Sequence, residues 1–140
     1  GRRVLEIAAG DGTLTGFLRD AGCDALATDD GSWQSTVATG VEVLRQDAAT
    51  ALRAHAAEVV VCSWPPAGNA FEREVFRTPG VQAYVVVNGA KEYGSGDHAA
   101  YAQALASGEW EGGPDARLSR LVLPPELGCV VHVYRRRAAA

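Results

Sequence analysis

Acidic residues and glycines cluster at three points of the chain, each directly after a short apolar segment. Residues 6–12 read EIAAGDG, residues 28–30 read TDD, and residues 46–48 read QDA. Glycines permit a sharp turn and the close approach of a ligand to the backbone. A carboxylate accepts hydrogen bonds from a pair of hydroxyl groups, as Asp29 would from a ribose, and Asp47 would face the amino group of an adenine. The pattern indicates a site for an adenosine-containing cofactor.

Each of these clusters also has a purely structural interpretation. A glycine-rich turn can simply join two packed elements, and Asp47 directly before a helix at 48–55 is an ordinary N-cap. We expect Asp47 both to cap this helix and to face the adenine amino group. The turn is not G-x-G-x-x-G, and a P-loop Lys-Ser/Thr pair is absent from the sequence, which disfavours NAD and nucleoside triphosphates.

The elements that would bring these clusters together are short strands alternating with helices. Segments at 3–8, 25–29, 41–46, 58–63 and 81–88 are dense in Val, Ile and Leu, which favours strands covered on both faces of a parallel sheet. Apolar spacing predicts a helix at 13–21. Asn69 with Glu72 predicts a second helix start, and Ser95 or Asp97 a third, running to about residue 107. The carboxyl ends of parallel strands share one edge, so the clusters should meet there.

The end of the chain predicts a different connection. Residues 117–123 and 129–135 read as two strands joined by the turn 124–128, which leaves no room for a helix. A parallel crossover needs about a dozen residues or more, so the connection must be an antiparallel hairpin. The predicted fold class is α/β, with a mostly parallel sheet that ends in an antiparallel hairpin. Dinucleotide dehydrogenases and flavodoxin-like domains normally close with parallel units instead.

The order of these features resembles class I S-adenosylmethionine-dependent methyltransferases, whose fold is a Rossmann-like sandwich. The resemblance spans nearly the whole chain and implies that S-adenosylmethionine is the cofactor. It places Glu6 near the methionine amino group, Asp29 on the ribose and Asp47 beside adenine; Ala8 stands where the family more often has glycine. The cofactor-binding residues so predicted are Glu6, Ala8, Gly10, Asp11, Gly12, Asp29, Asp30, Asp47, Ala48 and Ser63.

The segment Cys62-Ser63-Trp64-Pro65-Pro66 follows the fourth predicted strand, with Asn69 after it. It resembles a poorly characterised subgroup of the same family that carries a C-W-P-P-like motif. Amino-methyltransferases of nucleic-acid bases have Asp or Asn directly before Pro-Pro and an aromatic residue after it. Here Trp64 precedes the prolines and Ala67 follows, which disfavours that mechanism. Trp64 is either a packing residue of a rigid loop or part of a substrate pocket, and we expect Trp64 and Asn69 to contact substrate.

Residues 88–98 form the most polar segment at the same predicted edge, after the fifth strand. His98 would lie in the first turn of a helix, where the helix dipole favours the neutral imidazole that a general base requires. The alternative is that His98 belongs to a packed helical face with Tyr101. We predict His98 and Tyr93 as catalytic residues and Glu92 as a substrate contact. We predict no metal site.

Composition limits the partners of the chain. Of its 140 residues, 13 are Lys or Arg and 17 are Asp or Glu, giving a net charge of −4. Three of the basic residues are Arg135, Arg136 and Arg137, so the remaining body is more acidic still. Such a body does not attract phosphate backbones, and nucleic acid is an unfavoured substrate. Apolar runs of about 20 residues are absent, which argues against a membrane span.

Three widely spaced cysteines, Cys23, Cys62 and Cys129, are typical of reduced thiols and favour a cytoplasmic location. The length predicts a single cofactor-binding core over 1–137 with a tail at 138–140. Because the sequence contains no methionine, we also expect an upstream segment before residue 1.

The function predicted from the sequence is methyl transfer from S-adenosylmethionine to a small molecule. The alternative is a domain of the same fold that binds the cofactor without transferring its methyl group. An NAD-type reductase is disfavoured by the loop pattern and the terminal hairpin. The sequence alone leaves the oligomeric state open.

Overall fold

A single seven-stranded sheet forms the centre of the structure, a computed structural model that describes residues 1–33, 38–89 and 94–138. The strands are β1 (Arg3–Glu6), β2 (Asp24–Asp29), β3 (Val43–Arg45), β4 (Val59–Ser63), β5 (Ala83–Gly89), β6 (Trp110–Pro114) and β7 (Cys129–Arg136). Their order is β3-β2-β1-β4-β5-β7-β6. The first five strands are parallel, and β7 runs antiparallel to both β5 and β6. The predicted α/β sheet with an antiparallel end is confirmed.

Within the described ranges, five α-helices connect the strands, and local capping signals explain where two of them begin. They are α1 (Thr13–Asp20), α2 (Ala48–Ala54), α3 (Glu72–Arg77), α4 (His98–Ala106) and α5 (Ala116–Ser119). Asp47 caps α2 by accepting from the Thr50 amide, and Asp97 caps α4 by accepting from the Ala100 amide. Each carboxylate satisfies an amide that has no partner inside its helix, which is why these starts follow from the sequence.

The predicted strand at 117–123 is wrong. Asp115 accepts hydrogen bonds from the Arg117 and Leu118 amides and starts α5 there, and a 3-10 turn follows at Pro125–Leu127. The antiparallel partner of β7 is β6 instead. Trp110 of β6 is buried, whereas Leu121 and Leu123 of the misread segment are 74% and 77% exposed. A strand at 117–123 would bury little of the apolar surface of these two leucines, so the hydrophobic effect does not favour it.

Strand β6 escaped prediction because it contains two adjacent glycines. At Gly112 φ is +118°, and a Cβ there would lie 2.0 Å from the Val133 carbonyl oxygen of the neighbouring strand. Only glycine permits this approach of two backbones, although glycine weakens the usual sequence signal for a strand.

The two faces of the sheet carry unequal cores. Most buried side chains belong to one cluster, in which the Phe76 ring makes edge contacts with the rings of Tyr84, Tyr101, Trp110 and Tyr134. The opposite face buries a smaller cluster around Val4 beneath α1. Both faces are therefore covered, as the dense apolar strands predict. Within the described ranges, the structure has no helix that is both long and apolar enough to cross a membrane.

Candidate functional site

A cavity of about 800 Å³ opens at the carboxyl ends of β1, β2, β3 and β4. This is the point of the sheet where the strand order reverses, between β1 and β4. Ligands of open α/β sheets bind in that crevice, and pockets for small ligands span about 300–1,000 Å³. The lining residues are Ala8, Ala9, Gly10, Asp11, Asp29, Asp30, Ser32, Trp33, Gln46, Ala48, Ser63, Trp64, Pro66 and Phe71.

The loop after β1 reverses direction through two residues with left-handed backbone conformations. Ala8 has φ of 49° and Gly10 has φ of 58°. An added Cβ at Gly10 would meet nothing within 4 Å, so its backbone faces open space in the cavity. Asp11 also lines the cavity, and hydrogen bonds from the Thr13 hydroxyl and amide lower the pKa of its carboxyl. These three predicted residues are brought together at one wall.

Gly12 and Glu6, also predicted to bind cofactor, support the loop from outside the cavity. A Cβ at Gly12, where φ is 77°, would lie 2.8 Å from Cγ2 of Val43, so this glycine lets the loop pack on β3. Glu6 is buried, and its Oε2 accepts from the Thr15 amide at 2.9 Å and from the Thr15 hydroxyl. Burial raises the pKa of Glu6, against the lowering effect of the Thr15 hydrogen bonds. The carboxylate thus ties the end of β1 to α1.

Asp29 joins the end of β2 to the loop after β1. Its Oδ2 accepts from the Gly10 amide at 2.9 Å, and its Oδ1 accepts from the Gly31 amide at 2.7 Å. An ionised carboxylate has about four acceptor positions, so the side chain retains capacity for ligand hydroxyl groups. The neighbouring Asp30 accepts from the Ser32 amide at 2.8 Å, and hydrogen bonding to Ser32 lowers the pKa of its carboxyl.

Asp47 occupies the helix-capping position that was one of its two predicted roles. It accepts from the Thr50 amide at 2.9 Å and the Thr50 hydroxyl at 2.7 Å, and these hydrogen bonds lower the pKa of its carboxyl. Asp47 is not among the lining residues, whereas its neighbours Gln46 and Ala48 are. The side-chain oxygen of Gln46 lies 2.8 Å from Nε2 of His55.

The wall after β4 is apolar and aromatic. Ser63, Trp64, Pro66 and Phe71 line it. Trp64 has φ of 57°, a conformation that is unusual for a bulky residue, and its side chain is 47% exposed. Asn69, predicted as a substrate contact, does not line the cavity: its side-chain oxygen accepts from the Glu72 amide at 3.0 Å.

The structure places His98 away from the cavity. Its Nε2 lies 3.0 Å from the Ser95 carbonyl oxygen, and its ring centroid lies 5.2 Å from that of Tyr101 and 6.0 Å from that of His132. Burial, together with the nearby His98, lowers the pKa of His132. These contacts match the packed helical face that was the alternative for His98. Tyr93 and Glu92 lie outside the described residues, so their predicted roles stay predictions.

Sequence reasoning missed several residues of the lining: Ala9, Ser32, Trp33, Gln46 and Phe71. Most of them lie within a few residues of a predicted strand end, and that position was the available signal. Trp33 is 77% exposed, and a large exposed aromatic residue beside a cavity is a feature of ligand-binding surfaces. Only the structure shows that Phe71, just before α3, reaches the same cavity.

Comparison with solved structures shows what this fold resembles. The chain superposes on the S. pombe Dnmt2 methyltransferase with a TM-score of 0.66 and 15% identity, covering 99% of this chain and 51% of that one. For magnesium protoporphyrin IX methyltransferase (ChlM) from Synechocystis PCC 6803 with bound SAM, the TM-score is 0.65, the identity 13%, and the coverage 98% and 71%. For the plantazolicin methyltransferase BpumL in complex with SAH, these values are 0.65, 11%, 97% and 76%.

The chain spans about half the length of the Dnmt2 structures that it matches. No protein-family model matches the sequence. No curated protein matches it either. At these identities the structural likeness establishes the fold alone, and the chain has the Rossmann-like fold of class I S-adenosylmethionine-dependent methyltransferases.

Proposed function

We propose that this chain binds S-adenosylmethionine and transfers its methyl group to a small molecule. One observation carries the proposal: the glycine turn after β1, the acids after β2 and the aromatic loop after β4 line a single cavity at the switch point of the sheet. Solved structures with this fold include a methyltransferase with bound SAM and another in complex with SAH, which supports the same cofactor here.

The residues present fit the cofactor in shape and in chemistry. The open backbone at Gly10 would lie along the methionine end, and Asp29 with Asp30 would accept from the ribose hydroxyl groups. Gln46 and Ala48 would border the adenine. When bound, the cofactor supplies a methyl group on a positively charged sulfur, so the protein needs mainly to orient the acceptor and exclude water.

The acceptor would be a small molecule with an apolar face. Trp64, Pro66 and Phe71 give that end of the cavity an apolar surface without a fixed charge. Among the described lining residues, no histidine, lysine, tyrosine or cysteine is available as a proton acceptor at this wall. A nitrogen or sulfur nucleophile that is already uncharged or deprotonated at neutral pH fits such a surface. The acidic net charge argues against a nucleic-acid acceptor.

Isothermal titration calorimetry tests cofactor binding directly. Wild-type protein is titrated with S-adenosylhomocysteine, NAD and ATP. We expect micromolar binding of S-adenosylhomocysteine only, and we expect Asp29→Ala to weaken it while the exposed Asp20→Ala control does not. Failure of the wild-type protein to bind S-adenosylhomocysteine at millimolar concentration would overturn the proposal.

Transfer is tested with S-adenosylmethionine labelled on its methyl group. The protein is incubated with a low-molecular-weight cell extract, with total RNA and with DNA in separate reactions, and label is followed in each. Label in the small-molecule fraction supports the proposal, whereas label confined to RNA or DNA contradicts the acceptor class.

The second function is a cofactor-binding domain without transfer activity. The position of His98, which contacts Ser95 rather than the cavity, favours this candidate because a predicted general base is displaced from the site. Binding of S-adenosylhomocysteine with no labelled product in any fraction would support it.

A further inference from the structure

The carboxylate of Glu72 is fully buried and lies outside the cavity. It accepts four hydrogen bonds: from the Asp97 amide at 2.6 Å, from Nδ2 of Asn69 at 2.7 Å, from the Tyr84 hydroxyl at 2.6 Å and from the Tyr101 hydroxyl. Removing a carboxylate from water is costly, and it is tolerated where hydrogen bonds replace the lost hydration. So complete a set of donors indicates that the charge has a positional role.

The two tyrosines fix one oxygen of Glu72. Burial raises the pKa of Tyr84, and burial together with the Glu72 charge raises the pKa of Tyr101. Both phenols are therefore protonated and act as donors to Oε1. Tyr84 lies on β5 and Tyr101 on α4, so Oε1 connects Glu72 to the sheet and to the neighbouring helix.

The other oxygen, Oε2, holds two loops at once. Asn69 donates through Nδ2 both to this oxygen and to the Pro66 carbonyl oxygen at 2.8 Å, which links Glu72 to the loop after β4. The Asp97 amide links the same oxygen to the segment before α4. Glu72 thus stands where the two loops converge.

These two loops are also bonded directly to each other. The Pro65 carbonyl oxygen accepts from the Gly96 amide at 2.9 Å and from the Ser95 hydroxyl at 3.0 Å, and the Gly68 amide donates to the Gly96 carbonyl oxygen at 3.2 Å. Trp64 and Pro66, on the first loop, form the apolar wall of the cavity. Trp64 is 47% exposed and has a left-handed backbone, so burial alone does not hold it. Its amide donates to the Val87 carbonyl oxygen at 2.7 Å, and the hydrogen bonds between the two loops hold the residues that follow it.

We infer that Glu72 is a positioning residue that holds Trp64 and Pro66 as the acceptor wall of the cavity, through Asn69 on one side and the Asp97 amide on the other. The inference rests on the proposed function, because it assigns this wall to the acceptor. Replacement of the carboxylate by an amide should release the wall and leave the cofactor end unchanged. In Glu72→Gln, the amide oxygen can still accept from the two tyrosine hydroxyl groups. The amide NH2 group then faces the Asn69 and Asp97 N–H donors, so those two hydrogen bonds are lost.

Acrylamide quenching of tryptophan fluorescence measures the position of Trp64. Trp110 is 2% exposed and Trp33 is 77% exposed, so Trp33→Phe leaves Trp64 as the accessible indole among the three tryptophans. In that background we expect Glu72→Gln to raise the quenching constant about twofold. Glu74→Gln, two residues away on the same helix and paired with Arg77, is the matched control and should leave quenching unchanged.

A second variant, with a smaller expected effect on quenching, keeps the test decisive if Glu72→Gln does not fold. Asn69→Ala removes the link from Glu72 to the Pro66 carbonyl and should raise quenching by less than Glu72→Gln does. A folded Glu72→Gln protein with unchanged quenching would overturn the inference, as would unchanged quenching in Asn69→Ala when it alone folds.

Calorimetry with S-adenosylhomocysteine, in proteins that retain Trp33, separates this inference from the proposed function. We expect the dissociation constant of Glu72→Gln to stay within about threefold of wild type. Failure of the wild-type protein to bind contradicts the proposed function, whereas quenching alone decides whether Glu72 holds Trp64. Loss of binding by tenfold or more in a folded Glu72→Gln protein would show a general structural role and contradict the inference.

Discussion

The two halves of the cavity are held by different physical means. The half after β1 and β2 takes its shape from backbone turns and from Asp29, a half-buried carboxylate at the cavity surface. The half after β4 takes its shape from Glu72, a fully buried carboxylate behind the wall. The first arrangement keeps polar groups exposed for a ligand with hydroxyl groups. The second uses its polar groups internally and presents an apolar surface.

A single methyl group at Gly12 should have the largest effect on the first half. Gly12→Ala combines a left-handed backbone with a Cβ only 2.8 Å from Val43, and we expect it to lower the free energy of unfolding by about 3 kcal/mol. Gly68 in the second half has φ of +61° and no neighbour within 4 Å of an added Cβ, so Gly68→Ala should cost only about 1 kcal/mol. Urea unfolding measures both, and equal costs would contradict the packing role of Gly12.

Replacement of Asp29 should show that the first half of the cavity contributes to the affinity for S-adenosylhomocysteine. Asp29→Ala removes the acceptor of the Gly10 amide as well as the predicted acceptor of the ribose. We expect about 2 kcal/mol of lost affinity for S-adenosylhomocysteine, a factor of about 30. Asp30→Ala removes a hydrogen bond to Ser32 and one proposed acceptor of the ribose but leaves the Gly10 amide bonded to Asp29, so it should cost less. Calorimetry on folded variants checks this, and an unchanged affinity in Asp29→Ala would refute the assignment.

The buried carboxyl group of Glu6, at the end of β1, makes the stability of the first half dependent on pH. Because burial raises the pKa of Glu6, its protonated form is favoured in the folded state. Its contribution to stability is therefore present below the unfolded pKa of about 4.5 and is lost as pH rises through the raised value. Glu6→Gln should gain stability relative to wild type across that interval. Urea unfolding from pH 4 to pH 8 measures the difference, and a difference that shrinks with rising pH would contradict the prediction.

Substitution of Trp64, in the second half, should have the smallest effect on the affinity for S-adenosylhomocysteine. Trp64→Ala removes an aromatic side chain from the acceptor wall, so the affinity for S-adenosylhomocysteine should change by threefold or less, under about 0.7 kcal/mol. Once an acceptor is known, methyl transfer should fall by a larger factor. A tenfold loss of S-adenosylhomocysteine affinity, measured by calorimetry, would place Trp64 in the cofactor half instead.

The helix starts and the meeting of the acidic and glycine clusters were predictable from the sequence. Asp47 lies directly before α2 and Asp97 directly before α4, so the start of each helix could be recognised from a few neighbouring residues. Gly10 and Asp29 end up together because parallel strands bring their carboxyl ends to one edge. Glu6 was predicted to bind the cofactor, but the structure buries its carboxyl group against Thr15 of α1, outside the lining of the cavity.

The antiparallel end illustrates a prediction that was right in outline and wrong in detail. The antiparallel direction of β7 is confirmed, but the argument for it, a connection without room for a helix, is wrong because α5 lies between β6 and β7. The partner strand β6 was not predicted, because its glycines weaken the strand signal and the leucines of 117–123 resemble a strand in sequence. Arg136, one of the three consecutive arginines near the end of the chain, is largely buried: it donates to the Phe76, Thr78 and Val81 carbonyl oxygens and lies over the Trp110 ring. These contacts join residues far apart in the chain.

By itself the sequence determined the alternation of strands and helices, the caps and the edge at which the acidic and glycine clusters meet. Those features depend on the periodicity of apolar residues and on hydrogen bonds between close neighbours in the chain. Only the tertiary structure decided that Glu72 is buried beneath two loops, that Trp33 and Phe71 reach the cavity and that His98 does not. Burial and distance at these positions depend on the packing of segments distant in sequence, which local patterns do not encode.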